Sequence, residues 1–165
     1  MFKRIIATLL AAGLAAGLAA CGGDPAENSS VSPQSSSPAA STPAITGMKI
    51  GETGTSISTT VTVTDAGTAD DGTFYVDITI ENVGLINHEL SISQRFHLLN
   101  AQREKVTVKS FTADDGTDQN GKLLTPGQKL SGRAVFELPE GFTVAAFTYT
   151  YDINGFGLFT YLIES

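Results

Sequence analysis

Phe74-Tyr75-Val76-Asp77-Ile78-Thr79-Ile80-Glu81-Asn82 alternates apolar and polar side chains without a break. A strand turns successive side chains to opposite faces. The even positions therefore face a core, and Tyr75, Asp77, Thr79 and Glu81 face water. The same period of two recurs on both sides of this stretch. Upstream, the odd positions of Ile57-Ser58-Thr59-Thr60-Val61-Thr62-Val63 are expected inside. Downstream, Ile92, Gln94, Phe96 and Leu98 form an inner face in which Gln94 is the imperfect member. Val106 with Val108, then Leu130, Ala134, Phe136 and Leu138, then Phe147, Tyr149 and Tyr151 supply further pieces. Leu158 to Ile163 is apolar on both faces, so its orientation stays open.

Turn chemistry falls between these runs. Asp70-Asp71-Gly72 precedes the Phe74 strand, Pro126-Gly127 matches the middle of a type II turn, and Pro139-Glu140-Gly141 ends the Leu130 strand. Asn154-Gly155 is a strong hairpin signal. The body shows no helical stripe. Short strands with regular turn signals predict an all-β fold, an antiparallel immunoglobulin-like β-sandwich of about 7–9 strands. The lack of Trp and of a second Cys excludes an antibody-type domain.

The chain before this body reads differently. Lys3 and Arg4 precede the uncharged run Ile5–Ala20, which as a helix would reach about 24 Å, short of the ~30 Å hydrocarbon core. That is the pattern of a cleaved signal peptide over 1–20. Leu18-Ala19-Ala20-Cys21 resembles the bacterial lipobox, with small residues beside the scissile bond and an obligatory Cys. The resemblance implies that the Cys21 thiol takes a diacylglyceryl group, with acylation of the new amino terminus. Two chains hold a membrane firmly where one binds only reversibly. Gly22, in place of Asp, matches the pattern sent to the outer membrane in organisms that have one. Residues 21–44 carry the lipidated Cys and then a Ser/Pro/Ala-rich linker. This linker has no aromatic residue and is expected to be disordered, with a coil span of roughly 25–30 Å. The body occupies 45–165.

Charge narrows the partners. The chain carries 10 basic and 17 acidic residues, a net −7, and removal of Lys3 and Arg4 makes the remainder more acidic. Such a surface is repelled by phosphates, so no nucleic acid partner is expected, and docking on anionic lipid is disfavoured. The expected partners are the bilayer through acylated Cys21 and another envelope or extracellular protein. The expected location is the extracytoplasmic face of the cell membrane.

Several stretches of the body, in order, carry a family resemblance. They are Lys49-Ile50-Gly51, the Phe74–Asn82 strand, Phe96-His97-Leu98-Leu99-Asn100, Leu124-Thr125-Pro126-Gly127-Gln128 and Gly132-Arg133-Ala134-Val135-Phe136-Glu137-Leu138-Pro139. Across residues 48 to 150 this resembles the telokin-like domain of unknown function of secreted and lipid-anchored bacterial proteins. The resemblance implies an immunoglobulin-like sandwich and carries no catalytic residue. The segment Leu85-Ile86-Asn87-His88-Glu89 departs from the family pattern. Gly132 is expected to permit close packing or a bulge, and Asn82 to close an Asx turn.

Catalytic signals are sparse. The two histidines, His88 in a loop and His97 on the outer face of a strand, share no motif with a nucleophile or metal ligand, so the chain is not expected to be an enzyme. Asp114, Asp115 and Asp118, in a Gly-containing acidic loop, are candidate Ca²⁺ ligands, although the loop lacks EF-hand spacing. Asp65, Asp70 and Asp71 form a looser set, and no other cofactor is indicated. Ser91, Ser93, Arg95, His97 and Leu99 would form one exposed strand face, with Arg95 and His97 the candidate binding residues. The leading expectation is a lipid-anchored binding module. The alternatives are a structural or envelope-stress accessory domain, a calcium-binding adhesion-type domain and an enzyme.

Overall fold

The computed structural model describes residues 43–152 and 157–164. The leader, Cys21, almost all of the linker and the Asn154-Gly155 turn lie outside the described residues. Eleven strands and one helical turn follow in order: β1 Thr53–Thr55, β2 Thr59–Thr68, β3 Phe74–Asn82, β4 His88–Leu90, α1 Ile92–Arg95, β5 Phe96–Leu99, β6 Lys105–Thr107, β7 Ser110–Ala113, β8 Lys122–Leu124, β9 Lys129–Phe136, β10 Ala146–Asp152 and β11 Gly157–Leu162. They build an antiparallel β-sandwich. One sheet runs β1-β2-β3-β9-β7, the other β11-β10-β5-β6, and β4 pairs with β8 apart from both. The excess over the expected strand number comes from three-residue pieces such as β1, β4, β6 and β8, too short to show a period.

β3 is the centre of the five-stranded sheet, paired along its length with β2 and β9. Its even side chains are buried and its odd ones half-exposed, as the alternation predicts. Val61, Val63, Val76, Ile78, Ile80 and Ala134 meet the facing sheet, which contributes Phe96, Leu98, Phe147, Tyr149 and Tyr161. The Phe96 ring lies edge-on to Phe111 at 5.1 Å and to Phe147 at 5.9 Å, the geometry that aromatic quadrupoles favour. Tyr161 pins the two sheets: its hydroxyl donates to the Val61 carbonyl at 2.5 Å and accepts from the Gly54 amide at 3.2 Å. β11 buries Phe159 and Tyr161 and exposes Leu158, which settles the orientation left open by its sequence.

The turns behave as their residues require. Gly127 sits at φ 77° and the Gln128 amide closes on the Thr125 carbonyl, as a Pro-Gly turn should. Fully buried Asn82 accepts the Gly84 amide in an Asx turn, and its amide donates to the Ile86 and Leu124 carbonyls, so one side chain ties three segments. Gly132 has no room for a side chain, because a Cβ would stand 2.3 Å from the Thr112 carbonyl oxygen.

Two expectations are corrected. Ile57 does not begin an inner face: β2 starts at Thr59, and Ile57 lies on the preceding turn with 97% of its surface exposed. Residues Ile92–Arg95 form a helical turn, not a strand, so alternation is broken just before β5.

The strand directions define two poles. One holds the Ala69–Thr73 turn, the β5–β6 turn and the Pro139–Thr143 segment, with Phe74, Phe142 and Ile163 lining one shared cleft. Pro43 belongs to this pole, since its carbonyl accepts from Arg103 of the β5–β6 turn at 3.5 Å. The other pole holds the β1–β2 turn, the β3–β4 loop and the Thr125–Gln128 turn, joined by the Val83 and Gly84 amides donating to the Ser58 carbonyl and by Gly127 donating to Asn82.

Candidate binding surfaces

The second pole is where apolar surface meets water. Leu85 is 95% exposed, Ile86 76% and Ile57 97%, with Val83 and Leu123 about half-exposed nearby. These side chains are held out by their backbones. The Val83 and Gly84 bonds to Ser58 lock the β3–β4 loop against the β1–β2 turn, and Asn82 grips the Ile86 carbonyl from below. Large aliphatics on these pinned loops are thereby kept in contact with water. Leu85-Ile86 sits in the segment that departs from the family pattern. Two adjacent aliphatics between strands were the signal for it. Ile57 gave none, because it continued an alternating run.

The candidate residues from sequence are scattered. Arg95 and His97 do not share a face. The helical turn swings Arg95 inward to 7% exposure, where Nη1 donates to the Thr150 and Tyr151 carbonyls at 2.9 and 3.1 Å. Its guanidinium lies 5.9 Å from the Tyr149 ring centroid. Burial pushes the Tyr149 hydroxyl up to about 12, against the opposing Arg95 charge. His97 keeps the outer face of β5, half-buried, and burial followed by the charge of Lys105 lowers its pKa. His88 is not in a loop but in β4, where burial and then Arg95 hold it neutral to lower pH. With Arg95 inside, Ser91, Ser93, His97 and Leu99 do not form the continuous strand face expected of them.

The acidic loop likewise does not converge. The Asp115 carboxylate accepts the Thr117 amide at 2.9 Å, and Asp118 accepts the Asn120 amide at 3.0 Å, so each caps its own turn. Hydrogen bonds from Thr117 hold Asp115 below the usual carboxylate range. Asp71 does the same for Thr73, and Asp65 accepts the Tyr75 hydroxyl at 2.9 Å, which separates the looser set as well. Among the described residues no three His, Cys, Asp or Glu side chains come together in a metal-binding group. Nor is any helix among them long and apolar enough to cross a membrane.

Comparison with known proteins places the domain. A family described as a domain of unknown function (DUF4352) matches residues 48–157. The chain belongs to this family. No curated protein matches the sequence. In fold it is similar to MPT63, a secreted protein of Mycobacterium tuberculosis, at 15% identity and a TM-score of 0.54, over 72% of this chain and 97% of that one. It is similar to the yjhA protein of Bacillus subtilis at 18% identity and a TM-score of 0.54, over 71% of this chain and 99% of that one. A third likeness is to ycdA, a candidate lipoprotein of Bacillus subtilis, at 17% identity and a TM-score of 0.50, over 68% of this chain but 38% of that one. At these identities the likeness is one of fold, a β-sandwich that this family member shares with them.

Proposed function

We propose that this protein is an extracytoplasmic lipoprotein held to the membrane through acylated Cys21, and that its telokin-like, immunoglobulin-type sandwich is a binding module rather than an enzyme. The anchor is supported by Leu18-Ala19-Ala20-Cys21 and by the Ser/Pro-rich linker that follows it. The binding role is carried by one observation, the exposed aliphatic cluster of Ile57, Leu85 and Ile86. Loops on a rigid sandwich are the usual place for such a surface. Pro43 lies at the opposite pole, so the linker joins the domain at the end away from these loops. The partner that fits is another envelope or extracellular protein with an apolar surface. Near the loops Glu81 stands opposite Lys129 across β3 and β9, so a charge of each sign lies beside the apolar side chains. A photo-crosslinker at Leu85 in cells should give one discrete protein adduct. Ile57→Ser with Ile86→Ser should abolish it while the protein stays folded. An adduct unchanged by that double substitution would exclude these loops as the contact.

Cys21 gives an independent check on the anchor. Cys21→Ala should move the protein out of the acylated membrane fraction without altering the melting of its sandwich. Retention of the variant in that fraction after high-salt and carbonate washes would favour an uncleaved membrane helix.

A further inference from the structure

The outer face of the five-stranded sheet carries a second surface of different chemistry. Register sets hydroxyls side by side across four strands. Thr53 and Thr62 share a hydrogen bond at 2.7 Å, Thr62 stands opposite Thr79, and Thr79 meets Ser131 at 2.8 Å. In the next row Asp77 stands opposite Arg133, which grips both carboxylate oxygens at 2.7 Å. The Arg133 guanidinium also lies 4.0 Å from the Tyr75 ring centroid, and the Tyr75 hydroxyl is fixed by Asp65. Here the sheet dips into an open trough of about 610 Å³, lined among others by Thr64, Asp77, Thr79, Thr112, Ser131 and Arg133, within the ~300–1,000 Å³ of ordinary ligand sites. Gly132, buried in β9, lets β7 pack close at the trough, because a Cβ there would stand 2.3 Å from the Thr112 carbonyl oxygen.

We infer that this trough binds a neutral glycan. Its central charges cancel within the Asp77–Arg133 pair, so it offers no free cation to hold a phosphate or carboxylate ligand, and Asp114 at its edge opposes anions further. A peptide strand has nothing to pair with there, because β3 and β9 already spend their backbone groups on their neighbours. What remains is a set of hydroxyls that keep free acceptor lone pairs, and some a free donor, beside a guanidinium pre-set by Asp77 and Tyr75. Vicinal sugar hydroxyls match such donor–acceptor pairs. This surface is separate from the apolar pole and is tested separately from it.

The test is an amide-resolved NMR titration of the isotope-labelled full chain, in a zwitterionic detergent without a sugar headgroup, with cellohexaose and with chitohexaose. Shifts confined to Thr79, Thr112, Ser131, Gly132 and Arg133 are expected. Movement with both oligosaccharides would show recognition of ring hydroxyls, and movement with chitohexaose alone would narrow the ligand to acetamido sugars. Thr79→Val with Ser131→Ala should weaken binding about threefold to tenfold per lost hydroxyl contact. Thr112→Val, at the trough edge, serves as a second variant should the first disturb the sheet. Absence of shifts on this face with either probe at millimolar concentration would overturn the inference. So would binding that survives both variants unchanged.

Discussion

The central sheet and the Arg95 corner are equally buried but held in opposite ways. Along β3 the inward side chains from Phe74 to Ile80 are apolar and terminal Asn82 has its amide hydrogen-bonded, so burial there involves no uncompensated polar atom. At the corner, a buried guanidinium relies on two carbonyls of β10. The Arg95 Nε, the Tyr149 hydroxyl and the His88 Nε2 are all buried without a hydrogen bond of normal geometry among the described residues. The sheet is stabilised by area and packing, the corner by a few directional contacts. Volume changes should dominate in one region and charge or protonation in the other.

The largest expected effect is in the sheet. Ile78→Ala removes a side chain at 1% exposure beneath the facing aromatics and should cost about 2–5 kcal/mol in denaturant melts. A loss below 1 kcal/mol would mean that the two sheets re-close over the gap, and the contrast with the corner would fail.

Arg95→Ala should cost somewhat less, about 1.5–3 kcal/mol, since it strips charged hydrogen bonds from the Thr150 and Tyr151 carbonyls. Arg95→Met restores bulk but not donors. A Met variant as stable as the parent would show that the corner, too, is held by packing.

Protonation sharpens the difference next. Tyr149 is raised to about 12 by burial, so its neutral form is favoured in the fold. That stability is fully present below pH ~10, the ordinary tyrosine value, and is lost as pH rises toward 12. The melting temperature should fall over that window, and Tyr149→Phe should flatten the fall. On the acid side His88 and His97 are lowered from 6.5, so the fold favours their neutral forms. Their contribution is intact above 6.5 and declines as pH drops below it. His88→Gln should remove part of that slope.

The smallest effect is expected at the apolar pole. Ile57→Ser and Leu85→Ser alter side chains that touch mainly water and should change stability by less than ~0.5 kcal/mol, while abolishing partner contact. A larger loss of stability would mean that these loops serve the core.

β3 was legible because its period persists long enough to be unambiguous and because both faces obey it. Ile92 to Leu98 shows nearly the same alternation, yet its first half is helical. One turn of helix contains too few residues to display a 3.6 period, and Ile92 and Arg95, three apart, are both buried while Gln94 is not. Arg95 was therefore misplaced together with its neighbours. Ile57 failed for a related reason. Alternation says which positions share a face but not where pairing stops, and Ser56 closes the turn on Thr59 before Ile57 can enter the sheet.

The sequence alone determined the all-β class, the inward set of β3, β9 and β10, the Pro-Gly and Asp-Gly turns and the Asx turn of Asn82, because each depends on neighbours a few positions away. Only the tertiary structure decided that β9 lies between β3 and β7, which sets Arg133 against Asp77 and Ser131 against Thr79 across more than fifty residues. It also decided that Arg95 turns inward and that Ile57 and Leu85 share a pole. Long-range register and loop closure depend on which surfaces pack together, and local periodicity carries no record of that.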